Sequence, residues 1–310
     1  MTQPKNLDTR PAGLHLEVVP PVLRESEAGV EAALEKVATI NEAVGLDAVN
    51  IPEIREESSK SDKGERKRPF EPRMEPRVLA RRIRDELGIE SMINRVVVHL
   101  TREEQADWFR ETWEEYGVRQ FVLVGGEKSG VDYPGPSVPE ANEMIRKAIA
   151  EPGLRVGNIC IPTRDGEADR MRRKMATGVD FFTTQIIYHA HEFTDLVDAL
   201  VDNGLPETPP ELLLTMCPVK GPRNIRFLHW LGVSISPELE EWLVGDGEGV
   251  TDRSIEHIER TWQEISAHRA RRAPGLPVGV SLAPIGKIPH ETTIRLARAF
   301  TGGVRARATA

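Results

Sequence analysis

Two cysteines, Cys160 and Cys217, stand in a chain of 310 residues. That count excludes a disulfide framework. No run of about 18 apolar residues occurs, so no helical membrane span is expected. Met1 to Ala12 are polar and carry two prolines, and they lack the apolar stretch of a secretory leader. We therefore read a cytosolic protein. Basic residues are not in surplus: the formal net charge is -8, which argues against nucleic acid as a partner, because phosphate binding wants a basic face. No GxGxxG follows any apolar run, and the spacing of His189 and His191 matches no zinc site. No internal repeat and no low-complexity segment is found.

What the sequence does contain is a cadence. Short apolar runs alternate with longer amphipathic ones, the signature of strand-helix units in a parallel sheet. Strands are expected at 14–21, Leu46–Ile51, Arg95–Leu100, Gln120–Val124, Arg155–Ile161, Phe181–Ile187, Leu212–Cys217 and Val278–Leu282. Between them run helices, such as the one with Val30, Leu34, Val37 and Val44 on a single stripe. Others are expected over 103–116, 141–150, 168–176 and 290–300. Eight units without a break favour a closed (β/α)8 barrel, an α/β single domain over 13–303, with tails 1–12 and 304–310; a doubly wound sheet is the rival. The longest interruption, Glu53–Glu75, mixes acidic and basic residues. It reads as a solvated loop or as a lid that turns a carboxylate toward a site.

In such a barrel chemistry sits where strands end and βα loops begin. Glu17 lies in an apolar strand between Leu16 and Val18. Burial raises the pKa of a carboxyl and suits it to general acid work near neutral pH, unless it is held in a buried ion pair. His99 and Thr101 end the third expected strand and could bind a ligand or serve structure. The paired glycines Gly125 and Gly126 permit close backbone approach, and Glu127 then offers an acceptor, or ends an exposed turn. Lys174 belongs to a basic run that reads as a solvated helix face. Gln185, late in a buried strand, needs hydrogen-bond partners, which a pterin ring edge or a neighbouring strand could supply. Cys160 and Cys217 read as packing residues.

These segments in order resemble the methylenetetrahydrofolate reductase family over nearly the whole chain. The carriers are Glu17-Val18-Val19-Pro20-Pro21, Val49-Asn50-Ile51-Pro52-Glu53, His99-Leu100-Thr101, Lys174 with Gly178-Val179-Asp180-Phe181-Phe182 and Thr184-Gln185, and Met216-Cys217-Pro218-Val219. The resemblance implies reduction of 5,10-methylenetetrahydrofolate to 5-methyltetrahydrofolate with NAD(P)H, without a metal. It makes Glu17 the general acid, and it places Glu127 and Gln185 on the substrate. His99, Thr101, Gly125, Gly126 and Lys174 fall on the cofactor side. Two departures lie there as well. Val124-Gly125-Gly126-Glu127 stands where the family has Leu-Arg-Gly-Asp, and Ile161-Pro162-Thr163-Arg164 offers no histidine. Short relatives pass hydride directly from NADH to the folate, so both FAD mediation and direct transfer stay open. A second reading is a non-catalytic pterin-binding barrel, a subunit of a one-carbon-transfer complex. A homo-oligomer is compatible with either.

Overall fold

The computed structural model describes residues 10–56, 60–61, 64–65, 69–126 and 130–301, with backbone only at 60–61 and 64–65. Eight parallel strands close on themselves: β1 (Leu14–Glu17), β2 (Ala48–Pro52), β3 (Ser91–Val96), β4 (Gln120–Val124), β5 (Arg155–Cys160), β6 (Phe181–Thr184), β7 (Glu211–Met216) and β8 (Val278–Leu282). β8 pairs with β1, so no edge is left. A two-residue antiparallel ribbon, Lys60–Ser61 with Gly64–Glu65, decorates the connection after β2.

The helices are α1 (Ser26–Val44), α2 (Pro76–Leu87), α3 (Arg102–Glu114), α4 (Val138–Ala148), α5 (Glu167–Met175), α6 (Ala190–Asp202), α7 (Pro222–Trp230), α8 (Pro237–Val244), α9 (Val250–Arg272) and α10 (His290–Thr301). The expected stripe of α1 is buried: Val30, Leu34, Val37 and Val44 are all 5% exposed or less. Three helices fall outside the elements expected from the sequence. α2 follows a Glu75 cap with Pro76 in its first turn, a position proline tolerates because the missing N–H has no helical partner. α7 and α8 lie in the long connection after β7, which a simple strand-helix alternation does not anticipate.

Strand faces alternate, as the pleat requires. Outward residues such as Leu14, Leu16, Val49, Ile51, Phe121 and Leu214 pack under the helices. Ala48, Met92, Val122, Phe181 and Leu213 face inward and pack on one another. Around the barrel the register places residues of alternate strands at common levels. Glu17, Asn94, Ile159 and Thr215 share the uppermost closed level. Asn50, Val122, Thr183 and Ser281 lie below them, then His15, Met92, Gly157 and Leu213. Gly157 is a spatial requirement: a Cβ there would stand 2.3 Å from the Phe181 ring, which fills the space the missing side chain leaves. Near the floor Arg155 donates to Glu211 at 2.9 Å and to Gln120 at 3.3 Å, and its guanidinium lies 5.1 Å from the Phe181 ring.

Two boundaries differ from expectation in ways that matter for the site. The third strand is Ser91–Val96, four residues earlier than the apolar run suggests. Its inward Asn94 interrupts the hydrophobic pattern, whereas Val97 and Val98 are buried in the turn that follows. Likewise β1 stops at Glu17 and β6 at Thr184.

Candidate active site at the barrel mouth

β1 delivers Glu17 to the C-terminal end of the barrel, pointing inward. Burial pushes its carboxyl up to about 7, against the opposing pull of the Lys36 ammonium on α1 and a hydrogen bond from Asn50. Lys36 is itself drawn below the usual lysine range by burial. Asn50 pairs with Glu17 in the strand register and donates from Nδ2 to Glu17 Oε2 at 3.3 Å. The result is a carboxyl that exchanges its proton near neutrality, at the end of the barrel where chemistry is built.

Around it stands an arc of polar groups from adjacent strands: Ser281 on β8, Glu17 on β1, Asn50 on β2 and Asn94 on β3. Ser281 Oγ, Asn50 Oδ1 and Asn94 Oδ1 are buried atoms with no hydrogen-bond partner among the described residues. Buried polar atoms are ordinarily satisfied, so three on one arc mark a place organised for something other than packing. On the opposite side Val122, Val124 and Ile159 are apolar, and the Thr183 and Thr215 hydroxyls lie 3.4 Å apart, bonded to each other. Sequence reasoning passed over Asn50, Asn94 and Ser281 as site residues. The available signal was a lone polar residue in the C-terminal half of an apolar strand, on the same parity as an inward neighbour.

A cleft of about 540 Å³ opens over the β2, β3 and β4 loops, lined by Glu53, Ile54, Arg55, Glu56, His99, Val131 and Tyr133. That size falls within the roughly 300–1,000 Å³ of small-molecule sites. Glu53 is held in place: it accepts from Val96 N and Arg95 Nη1, each at 2.9 Å. Arg95 in turn is packed 4.4 Å from the Trp108 ring.

His99 reaches this cleft, edge-on to Tyr133 at 5.5 Å between ring centroids, although it lies in the turn after β3 and not in the strand. Thr101 does not close a strand either. It caps α3, accepting from Glu104 N at 3.3 Å and donating to Glu104 Oε2 at 2.8 Å. Thr101-x-x-Glu104 is a capping box, and the sequence signature for it was there to be read.

Gly125 and Gly126 follow β4. A Cβ on Gly126 would stand 2.4 Å from Tyr133, so the close approach there is taken by this tyrosine. Glu127 lies outside the described residues.

Lys174 is not a solvated member of its basic run. Its Nζ donates to Ile159 O at 2.8 Å, and burial holds it below the usual lysine range. Gln185 sits just above the mouth, with Nε2 donating to Leu231 O at 3.1 Å and Oε1 accepting from Ile186 N at 2.9 Å. Cys160 and Cys217 are buried free thiols, each pushed up to about 12 chiefly by burial. Among the described residues no group of three or more His, Cys, Asp or Glu is placed to hold a metal ion, and no helix is long and apolar enough to cross a membrane.

No protein-family model matches the chain, and no curated protein does. Among solved structures the chain is similar to an uncharacterized protein from Clostridium thermocellum that binds two copies of 5-methyl-5,6,7,8-tetrahydrofolic acid. The TM-score is 0.73 at 20% identity, covering 94% of this chain and 96% of that one. Matches also include N-(5'-phosphoribosyl)anthranilate isomerase from Pyrococcus furiosus (TM-score 0.49, 11% identity, 94% and 98% covered). A third is an aldolase (TM-score 0.49, 10% identity, 96% and 97% covered). The Clostridium likeness shows a common fold: this chain is a (β/α)8 barrel of the triosephosphate-isomerase type.

Proposed function

We propose that the barrel is an oxidoreductase of one-carbon metabolism that reduces 5,10-methylenetetrahydrofolate to 5-methyltetrahydrofolate with NAD(P)H. The observation that carries this reading is Glu17. An inward carboxyl with a pKa of about 7, at the C-terminal end of a barrel, is poised to hold and deliver a proton at neutral pH. Delivered to the bridging nitrogen of a methylene-bridged folate, that proton opens the bridge to a cation, which accepts hydride and becomes a methyl group. The ligand of the Clostridium barrel is 5-methyl-5,6,7,8-tetrahydrofolic acid, the product class of this reaction.

The mouth suits a flat heterocycle that is polar along one edge. Asn94 and Ser281 offer acceptors on one side, while Val124 and Ile159 offer an apolar face on the other. Gln185 borders the same space. The dihydronicotinamide has a berth in the cleft beside His99 and Tyr133, next to the mouth, where proximity to the folate contributes to rate.

The residues fit a flavin poorly. Thr101 is committed to capping α3, Lys174 to Ile159 O, and the approach at Gly126 to Tyr133. Direct hydride transfer from the nicotinamide is therefore the route we favour.

The test is titration of the purified protein with 5-methyltetrahydrofolate, followed by steady-state assay with methylenetetrahydrofolate and NADH or NADPH. Direct transfer gives intersecting double-reciprocal lines; a flavin shuttle gives parallel ones. Folate binding without turnover, with either nucleotide and with FAD added, would point to a binding barrel of a one-carbon-transfer complex. Absence of folate binding sinks both readings.

A further inference from the structure

We propose that Asn50 is the positioning residue that holds the Glu17 carboxyl in both of its protonation states, presenting its amide N–H to the carboxylate and its amide oxygen to the carboxylic acid. The argument begins with register. Glu17 and Asn50 are paired neighbours on β1 and β2, both on the inward face, so their side chains meet without any loop between them. Asn50 is 3% exposed, which leaves its carboxamide dependent on protein partners. One end has such a partner: Nδ2 donates to Glu17 Oε2 at 3.3 Å, a long bond that serves the ionised carboxyl. The other end does not, since Oδ1 has no partner among the described residues.

A carboxylic acid O–H is the donor that Oδ1 lacks. Half a turn of the carboxamide about its last torsion exchanges oxygen for nitrogen with no backbone movement. Asparagine thus offers each form of Glu17 a hydrogen bond of the right sense. Leucine would offer neither, and aspartate would set a second carboxylate against the first. The bond to the charged carboxylate is the stronger of the two, so Asn50 modestly favours the ionised form while still holding the acid.

Two other groups that bear on Glu17 lack this property. Lys36, from α1, favours only the ionised form. Cys217, beyond β7, is a buried thiol that stays protonated. Asn94 and Thr215 on the same level, Ser281 on β8 and His15 two residues below on β1 are the other polar neighbours that the register brings near.

The inference rests on the proposed function only in making Glu17 the acid; the pairing itself can be measured without any ligand. The experiment is an NMR titration of the full-length protein that follows the Glu17 carboxyl carbon and the Asn50 side-chain amide. Glu17→Gln and Asn50→Leu supply the assignments. In the wild type the Asn50 amide resonances should titrate with the Glu17 midpoint, near pH 7, and should stop titrating in Glu17→Gln. In Asn50→Leu the Glu17 midpoint should rise by about one pH unit, since the bond to the carboxylate is gone. Asn50→Ser, which keeps a hydroxyl able to donate and accept, should return it toward the wild-type value.

If Asn50→Leu does not fold, the wild-type and Glu17→Gln spectra decide alone. An Asn50 amide indifferent to pH through the Glu17 transition, or a folded Asn50→Leu with the Glu17 midpoint unmoved, overturns the inference. If the protein binds no folate, the functional reading fails while the coupled titration persists, so the two failures are distinguishable.

Discussion

The two ends of this barrel handle buried polarity in opposite ways. At the floor, Arg155, Glu211 and Gln120 satisfy one another, and the arginine is packed against Phe181. At the mouth, Glu17 has one long hydrogen bond, and three buried acceptors on neighbouring strands have none among the described residues. The interior is lined by alternate residues of the same eight strands at both ends, so strand geometry does not account for the contrast. A closed polar network stabilises and specifies a fold, whereas unmet polar groups in a buried setting cost stability and are retained where a ligand or a reaction meets them. This is the division of labour expected of a barrel, with stability at the N-terminal face and chemistry at the C-terminal face.

The sharpest way to break that comparison is Glu17→Gln. Turnover should fall by roughly 10²–10⁴-fold, the usual contribution of a general acid, while the variant stays folded. Stability should move the other way, and the sign follows from linkage. The Glu17 carboxyl titrates near 7 in the folded chain against 4.5 for an ordinary glutamate. The unfolded chain therefore releases that proton first as pH rises. Stability attached to Glu17 is complete below pH 4.5 and is lost progressively up to about pH 7. Glutamine never ionises, so melting curves of the two proteins should lie close at pH 5 and separate at pH 8, with the variant higher. A wild-type turnover rate in this variant would remove Glu17 from the mechanism.

Next in size is Phe181→Ala. This ring occupies the barrel axis beside Gly157 and supports Arg155. Its loss should cost about 3–5 kcal/mol by denaturant titration, as buried Phe→Ala changes do. Arg155→Met should cost less, on the order of 1–2 kcal/mol. The Glu211 partner is mostly enclosed, but the arginine side chain is 39% exposed, so solvent screens the pair. Neither change should alter folate affinity per folded molecule by more than about twofold. A larger loss of affinity from the floor than from the mouth would erase the distinction drawn above.

Much of this was legible in the sequence, and the limits of legibility are physical. The barrel follows from the strand-helix cadence, and Glu17 stands out because a charge within Leu-Glu-Val-Val is costly unless it is used. Asn50, Asn94 and Ser281 stayed hidden because an uncharged polar residue in a strand is ordinary. Only the register shows that all three face inward, on a contiguous run of strands that includes the one carrying Glu17. Thr101 is the opposite case. Its hydroxyl looked available at the end of an apolar run, but the run continues past the strand, and the hydroxyl is satisfied locally by Glu104. For Lys174 the helical spacing marked a basic face, and what tertiary structure adds is the Ile159 carbonyl within reach of that one ammonium.

The smallest expected effect belongs to Gln185→Ala, and it tests where the mouth ends. In this structure the Gln185 carboxamide bridges two backbone groups, Leu231 O and Ile186 N, tying the end of β6 to the turn after α7. If that bridge is its role, alanine should lower stability by roughly 0.5–1.5 kcal/mol, the net worth of an ordinary hydrogen bond. Folate and nicotinamide affinities should then change little and equally. The alternative is that the carboxamide leaves Leu231 O when a pterin arrives and spends its donor on the ring. Alanine would then cost folate affinity about tenfold, spare the nicotinamide, and barely change stability in the ligand-free state. Paired calorimetric titrations with 5-methyltetrahydrofolate and NADH, with melting curves of the free protein, separate the two. The structure favours the first outcome, because both ends of the amide are already bonded, while unpartnered acceptors lie nearby on Asn94 and Ser281. A selective loss of folate binding would extend the mouth upward to β6 and make Gln185 part of the ligand's edge.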